Sequence, residues 1–170
     1  MVIAQDGFRD EELLEPMEVF DQSGYEPVVL SQIKGECKGK LGAKVTSNLA
    51  IADAILHDEV KAILLIGGPG APTLADVPEL GKLLDEAMQK ELVVGAICLA
   101  PMVLAGFGII DGRHATVYPT EQSLAVLKEH DVDYVKEDVV VDGRVITANG
   151  PQAATPFADS VVEVLRDTEE

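Results

Sequence analysis

The sequence predicts an α/β fold with a largely parallel central sheet. Three observations predict it. Apolar runs with strand character alternate along the chain with segments of helical spacing. Three strands end in loops that lead into a helix: Asp6-Gly7-Phe8, Gly67 to Ala71, and Cys98. The run Val93 to Ile97 carries no charge and is rich in Val and Ile, as a strand buried on both faces must be. In such sheets ligands gather at the C-terminal strand ends, so these three loops are where a site is expected.

Met1 to Gln5 reads as a short first strand, and Asp6-Gly7-Phe8 as a turn. Asp10 to Ser23 has Leu13, Leu14, Met17, Val19 and Phe20 at helical spacing, with Asp10 as the expected cap and Gly24 as the stop. Pro16 inside that pattern predicts a kink or a short first turn. Pro27 to Leu30 is a second strand. Ile33 to Ser47, rich in Gly and Lys, reads as loops able to hold a hairpin. Ile51 to Leu56 reads as a short helix and Lys61 to Ile66 as a buried strand running into Gly67-Gly68-Pro69-Gly70-Ala71-Pro72.

Pro78 to Glu91 is an amphipathic helix with Leu80, Leu83, Leu84, Ala87 and Met88 on one face. After the Val93 strand, Leu99 to Ala105 reads as a helix with Pro101 in its first turn. Gly108 to Gly112 is a turn region, Ala115 to Tyr118 a strand and Thr120 to His130 a helix. Tyr134 to Val141 and Arg144 to Ala148 flank Asp142-Gly143, a strong hairpin signal. Pro151 to Arg166 is the last helix.

Cys98 falls on the turn between strand and helix. That is the arrangement of a nucleophile elbow, in which a strained turn exposes one side chain above a helix N-terminus. The helix N-terminus favours thiolate over thiol and predicts a lowered thiol pKa. Ala96 and Ala100 stand where the usual serine version has glycine. On this stretch alone, a small buried hydrophobe is an equally good reading of Cys98. A thiolate nucleophile also needs donors for a developing oxyanion. The N–H of Leu99 is one candidate and the N–H of Gly68 the other, although without Cys98 the glycine turn reads better as a plain tight turn.

A length of 170 residues suits one domain spanning 1–170. The net charge of −17, from 30 acidic and 13 basic residues, argues against nucleic acid and anionic membranes as partners. No apolar run is long enough to span a membrane and no leader is visible, so a cytoplasmic protein is expected. Two cysteines make no disulfide framework, and the three scattered histidines give no zinc spacing. The sequence calls for no metal and no cofactor.

Several segments together, in chain order, resemble the ThiJ/PfpI superfamily. They are Asp6-Gly7-Phe8 with Glu12-Leu13-Leu14-Glu15-Pro16, Gly67-Gly68-Pro69-Gly70-Ala71, Ala96-Ile97-Cys98, Gly112-Arg113-His114-Ala115-Thr116-Val117-Tyr118-Pro119, Asp142-Gly143 and Gly150-Pro151. The resemblance covers essentially the whole chain. It implies a flavodoxin-like three-layer sandwich and a homodimer or larger homo-oligomer. It places the reactive cysteine at Cys98 and its carboxyl partner at Glu12, four residues before Pro16. The oxyanion donors fall on the Gly68 and Leu99 N–H groups, and Tyr118 occupies a position that approaches the cysteine.

The chain departs from the family pattern in two places. Peptidase-like members carry histidine directly after the cysteine, where this chain has Leu99, which can neither take nor give a proton. Thr155 stands near Phe157 where the family usually has an acid. The first departure disfavours peptide hydrolysis. What the resemblance implies is then a cofactor-independent glyoxalase or deglycase acting on a small α-oxoaldehyde, or a redox-sensing, stress-protective protein whose Cys98 oxidises. A Glu12 carboxyl in an apolar site beside the thiol is expected to have a raised pKa. Arg9 and His114 read as surface residues, and Cys37 as a loop cysteine without a role.

Overall fold

The computed structural model describes residues 1–170. The strands and helices that build it are β1 (Asp6–Phe8), α1 (Asp10–Gln22), β2 (Leu30–Ser31), β3 (Gly35–Gly39), β4 (Lys44–Ser47), β5 (Leu49–Ala50), β6 (Ala62–Leu65), α2 (Pro78–Gln89), β7 (Val93–Ile97), α3 (Ala100–Gly106), β8 (His114–Ala115), α4 (Glu121–Glu129), β9 (Asp133–Tyr134), β10 (Val139–Asp142), β11 (Val145–Ala148) and α5 (Ala154–Glu169).

The central sheet runs β10-β11-β7-β6. It continues through Val2, which bridges Leu65 on one side and Leu30 of β2 on the other, and β2 pairs with β5. Every pairing is parallel except β10 with β11. Alternation along the strands sorts their side chains into two cores. Ile63, Leu65, Val94, Ala96 and Val145 pack with Leu80, Leu84, Val103 and Leu104 of α2 and α3. Leu64, Ile66, Val93, Ile97 and Ile146 pack with Leu13 and Phe20 of α1 and Phe157 and Val161 of α5. Each fully buried Leu, Ile, Val or Phe contributes roughly 1.5–3 kcal/mol. The result is the three-layer α/β sandwich expected from the sequence. At Gly95 in β7 a side chain would crowd Leu64 Cδ2 and the Phe157 ring, so the glycine lets α5 sit close to the sheet.

Tertiary pairing reshapes several local readings. Asp6-Gly7-Phe8, read as a turn, is β1 and pairs in parallel with β3, its register shifted at Gly7 (φ +81°). Pro16 does not break α1. It removes only the bond to the Glu12 carbonyl, and the helix continues packed on α5. Gly24 (φ +86°) ends α1 as expected, with Tyr25 N–H donating to Phe20 O and Gly24 N–H to Asp21 O. Asp10 does not cap α1: Arg9 is the N-cap, and the Asp10 carboxylate instead accepts from Leu41 N–H and Ala43 N–H of the β3–β4 turn. The helix read at Ile51 to Leu56 is one 3₁₀ turn, Ile51–Asp53. The Ala115 to Tyr118 strand shrinks to β8, and the Tyr134 to Val141 strand splits into β9 and β10. The hairpin turn shifts one residue, to Gly143-Arg144, with glycine (φ +62°) at the first loop position.

Candidate active site

β7 delivers Cys98 to the C-terminal edge of the sheet, and α3 begins two residues later. Cys98 adopts φ +64°, a left-handed conformation that costs a non-glycine residue about 1–3 kcal/mol. Neighbouring strands hold it there. Its N–H donates to Ala148 O at 2.8 Å, and its carbonyl accepts from Tyr118 N–H at 2.7 Å. Ala96 and Ala100 are fully buried on either side. Cys98 itself is 7% exposed.

The loop after β6 closes over this elbow. Gly67 lies between Cys98 and Glu12, and Gly68 takes φ +105°. The N–H groups of Gly68 and Leu99 face the Cys98 sulfur and favour its thiolate form. Glu12, on the first turn of α1, is fully buried and faces the Cys98 thiol. Neither of its carboxyl oxygens meets full hydrogen-bond geometry, although the Cys98 thiol and the Gly67 backbone lie close enough to lower its pKa. A buried polar group left open in this way is costly. Resting sites often hold such long contacts, which tighten only when substrate arrives.

Burial pushes the Glu12 carboxyl up to about 7, with the Cys98 thiol, the Arg9 charge and the Gly67 backbone pulling the other way. That agrees in direction with the sequence reading. Cys98 does not: burial and the Glu12 charge push the thiol up to about 12, against the pull of the Gly68 and Leu99 N–H groups. The expected lowered thiol is corrected, because two backbone donors do not outweigh desolvation beside a carboxylate.

Tyr118 meets the cysteine through its backbone, and its side chain is nearly half exposed. His114 is a surface residue paired with Asp133 at 2.7 Å. Cys37, read as a loop cysteine, is instead fully buried in β3, where its sulfur accepts from Gln5 Nε2. Arg9, read as surface, sits against the Gly67 loop with its N–H donating to Gly67 O at 2.9 Å. The signal that could have found it is its place three residues before Glu12, at the end of a site loop. No group of three or more His, Cys, Asp or Glu side chains is arranged to hold a metal ion. An apolar groove of about 410 Å³, lined by Met1, Val28, Ile55 and Leu83 among others, lies at the opposite ends of the strands and includes none of these residues.

A match to the DJ-1/PfpI family spans residues 1–164. The chain belongs to the DJ-1/PfpI family. An uncharacterised family relative from Methanocaldococcus jannaschii is 44% identical over 100% of this chain and 83% of its own length. A Caenorhabditis elegans protein named as a glutathione-independent glyoxalase is 34% identical over 75% of this chain and 67% of its own. A Thermococcus kodakarensis protein named as a deglycase is 29% identical over 98% of both chains. Among solved structures, a ThiJ/PfpI domain protein from Brachyspira murdochii superposes with a TM-score of 0.91 at 28% identity, over 98% of this chain and 94% of its own. No helix of this DJ-1/PfpI protein is long and apolar enough to cross a membrane.

Proposed function

We propose that this DJ-1/PfpI protein is a cofactor-independent enzyme of the glyoxalase or deglycase type, acting on small α-oxoaldehydes through Cys98 and Glu12. The observation that carries the reading is the Glu12 carboxyl, buried and facing the thiol. A base whose pKa lies near the working pH is suited to move protons both ways. The names of the C. elegans and Thermococcus relatives point to the same chemistry.

In this reading the Cys98 sulfur adds to the aldehyde carbon. A C–S bond forms, the carbonyl π pair moves onto oxygen, and the thiol proton passes to Glu12. The Gly68 and Leu99 N–H groups receive the oxyanion. Glu12 returns its proton to that oxygen, giving a neutral hemithioacetal, and is again a base. It then takes the C–H proton of the former aldehyde carbon, giving an enediolate, and delivers it to the adjacent ketone carbon, while the hydroxyl proton on the first carbon passes to the oxygen of the second. The first carbon is oxidised and the second reduced, so no outside oxidant is needed. Water cleaves the resulting thioester, releasing a 2-hydroxy acid and the thiol. Tyr118 braces the Cys98 carbonyl through its N–H, and Leu99 offers no base for peptide hydrolysis. The reading includes a cytoplasmic homodimer or larger homo-oligomer, on family resemblance.

One observation favours a second reading. The same two N–H groups that face the sulfur are placed to hold the oxygens of a Cys98 sulfinate, as a redox-sensing, stress-protective protein requires. Turnover of methylglyoxal, followed as hydroxy-acid formation and abolished in Cys98→Ala, separates the two. Absence of turnover in the parent, with peroxide still converting Cys98 to sulfinate, replaces the first reading by the second.

A further inference from the structure

Arg9 stands at this site with no part in the proton transfers just described. It caps α1, its carbonyl accepting from Glu12 N–H at 3.1 Å, and its own N–H binds Gly67 O. A side chain on Gly68 would strike the same Arg9 backbone nitrogen. The residue is therefore wedged between the helix that carries Glu12 and the loop that carries the Gly68 N–H. Its side chain is 25% exposed. Glu11 fixes its plane: Nε donates to Oε2 at 2.7 Å and Nη2 to Oε1 at 3.2 Å. The Nη1 amino group makes no hydrogen bond in the chain and stays free for a ligand. The Arg9 charge acts on both Glu12 and Cys98.

The rest of the molecule sharpens the contrast. With a net charge of −17, the surface as a whole repels anions, so an arginine anchored by its backbone to the Gly67 loop and to the start of the Glu12 helix is a local exception. A guanidinium presents several donors in a rigid plane matched to a carboxylate.

We propose that Arg9 is the specificity-determining residue of this site and selects carbonyl substrates that carry a carboxylate, a proposal that rests on the carbonyl-substrate reading above. The aldehyde carbon meets Cys98 while the carboxylate meets Nη1. The compound 4,5-dioxopentanoate has both groups and is converted by the same internal oxidation and reduction to 2-hydroxyglutarate. Its neutral counterpart of equal length is 2-oxopentanal.

Two measurements test this, and the first needs no turnover. Cys98 is alkylated by iodoacetate, an anion, and by iodoacetamide, its neutral analogue, and the modified residue is quantified by mass spectrometry. The iodoacetate-to-iodoacetamide rate ratio at Cys98 is expected to fall about tenfold in Arg9→Gln, as loss of a local attractive charge requires. Arg9→Lys retains most of the ratio, and about 0.5 M salt shrinks the difference. The second measurement compares kcat/KM for 4,5-dioxopentanoate and 2-oxopentanal. The parent prefers the anion, and Arg9→Gln loses the preference through KM rather than kcat. An alkylation ratio unchanged in Arg9→Gln overturns the proposal. An Arg9-dependent ratio with no turnover of either dicarbonyl supports anion selection by Arg9 and overturns the enzyme reading instead.

Discussion

Glu12 and Cys98 face each other across a gap that only glycine leaves open. A methyl group on Gly67 would stand 2.5 Å from the Cys98 Cβ and 2.6 Å from Glu12 Oε1. The loop glycine is thus part of how base and nucleophile meet. Gly67→Ala is expected to destabilise the fold by about 1–3 kcal/mol, the usual range for overpacking. It is also expected to slow both methylglyoxal turnover and Cys98 alkylation. Urea unfolding and alkylation kinetics check the two effects, and a variant equal to the parent in both would show that the three groups are not in register.

The pH dependence of turnover follows from Glu12. The carboxyl acts as base only when ionised, and burial holds its pKa at about 7. Turnover is expected to rise through about pH 7 and then level. Glu12→Gln removes that limb and lowers kcat by about 10² to 10⁴-fold, the range of a positioned acid–base group. Full turnover in Glu12→Gln would assign the proton work to another residue.

Stability carries the same signature with a defined sign. A carboxyl whose folded pKa lies above its unfolded value binds its proton more tightly when folded. Its contribution is fully present below the ordinary carboxyl pKa of 4.5 and is lost as pH rises through about 7. The difference between 4.5 and about 7 corresponds to about 3 kcal/mol. Relative to Glu12→Gln, the parent should therefore lose about that much stability between about pH 4 and pH 8. Urea titrations of both proteins at several pH values read the difference directly, since their surface acids are otherwise shared.

Much of this site was legible in the chain because its parts are local. The uncharged run Val93 to Ile97 ending on Cys98 announces an elbow, and the Gly67-Gly68 turn announces a close approach. Glu12 was legible only through resemblance, since a glutamate beside Glu11 on a helix looks solvated until the Gly67 loop and Cys98 are known to lie against it. The sign of the Cys98 shift was misread for the same reason: helix direction is written in the sequence, but burial beside a carboxylate is not. Asp10 was misread as a cap because its partners, Leu41 and Ala43, lie some thirty positions away. β1 was misread as a turn because its partner β3 is equally distant. Arg9 looked like surface because nothing local ties it to Gly67.

Cys98 alkylation is expected to be slow near neutral pH. Burial and the Glu12 charge hold the thiol at about 12, well above a free thiol. The expected pattern is a rate at Cys98 in the folded parent well below that of the same residue in urea, where no such environment exists. Glu12→Gln should raise the folded rate, because a neutral amide no longer repels the forming thiolate. A folded parent that alkylates Cys98 rapidly at about pH 7, near the rate of a lowered-pKa thiolate, would mean that the Gly68 and Leu99 donors prevail.

The Asp10 clamp makes the last prediction, and it bears on how the start of α1 is held. Asp10 lies two residues before Glu12 and is 6% exposed. Its carboxylate accepts from Leu41 N–H at 2.9 Å and Ala43 N–H at 2.8 Å, fastening the β3–β4 turn to the first turn of α1. A side chain on Gly39 would enter the space Asp10 occupies, so the fit is close on both sides. Hydrogen bonds to a charged group contribute about 1.5–3 kcal/mol. Asp10→Ala should therefore cost roughly that much per bond lost, while Asp10→Asn, which can still accept one N–H, should cost less. Amide exchange locates the effect: the Leu41 and Ala43 N–H groups should lose protection while those of β7 keep theirs. Because α1 also carries Arg9 and Glu12, Asp10→Ala is further expected to lower kcat/KM without shifting the limb near pH 7. If that limb moves with Asp10→Ala, the clamp sets the Glu12 environment as well as the position of the turn.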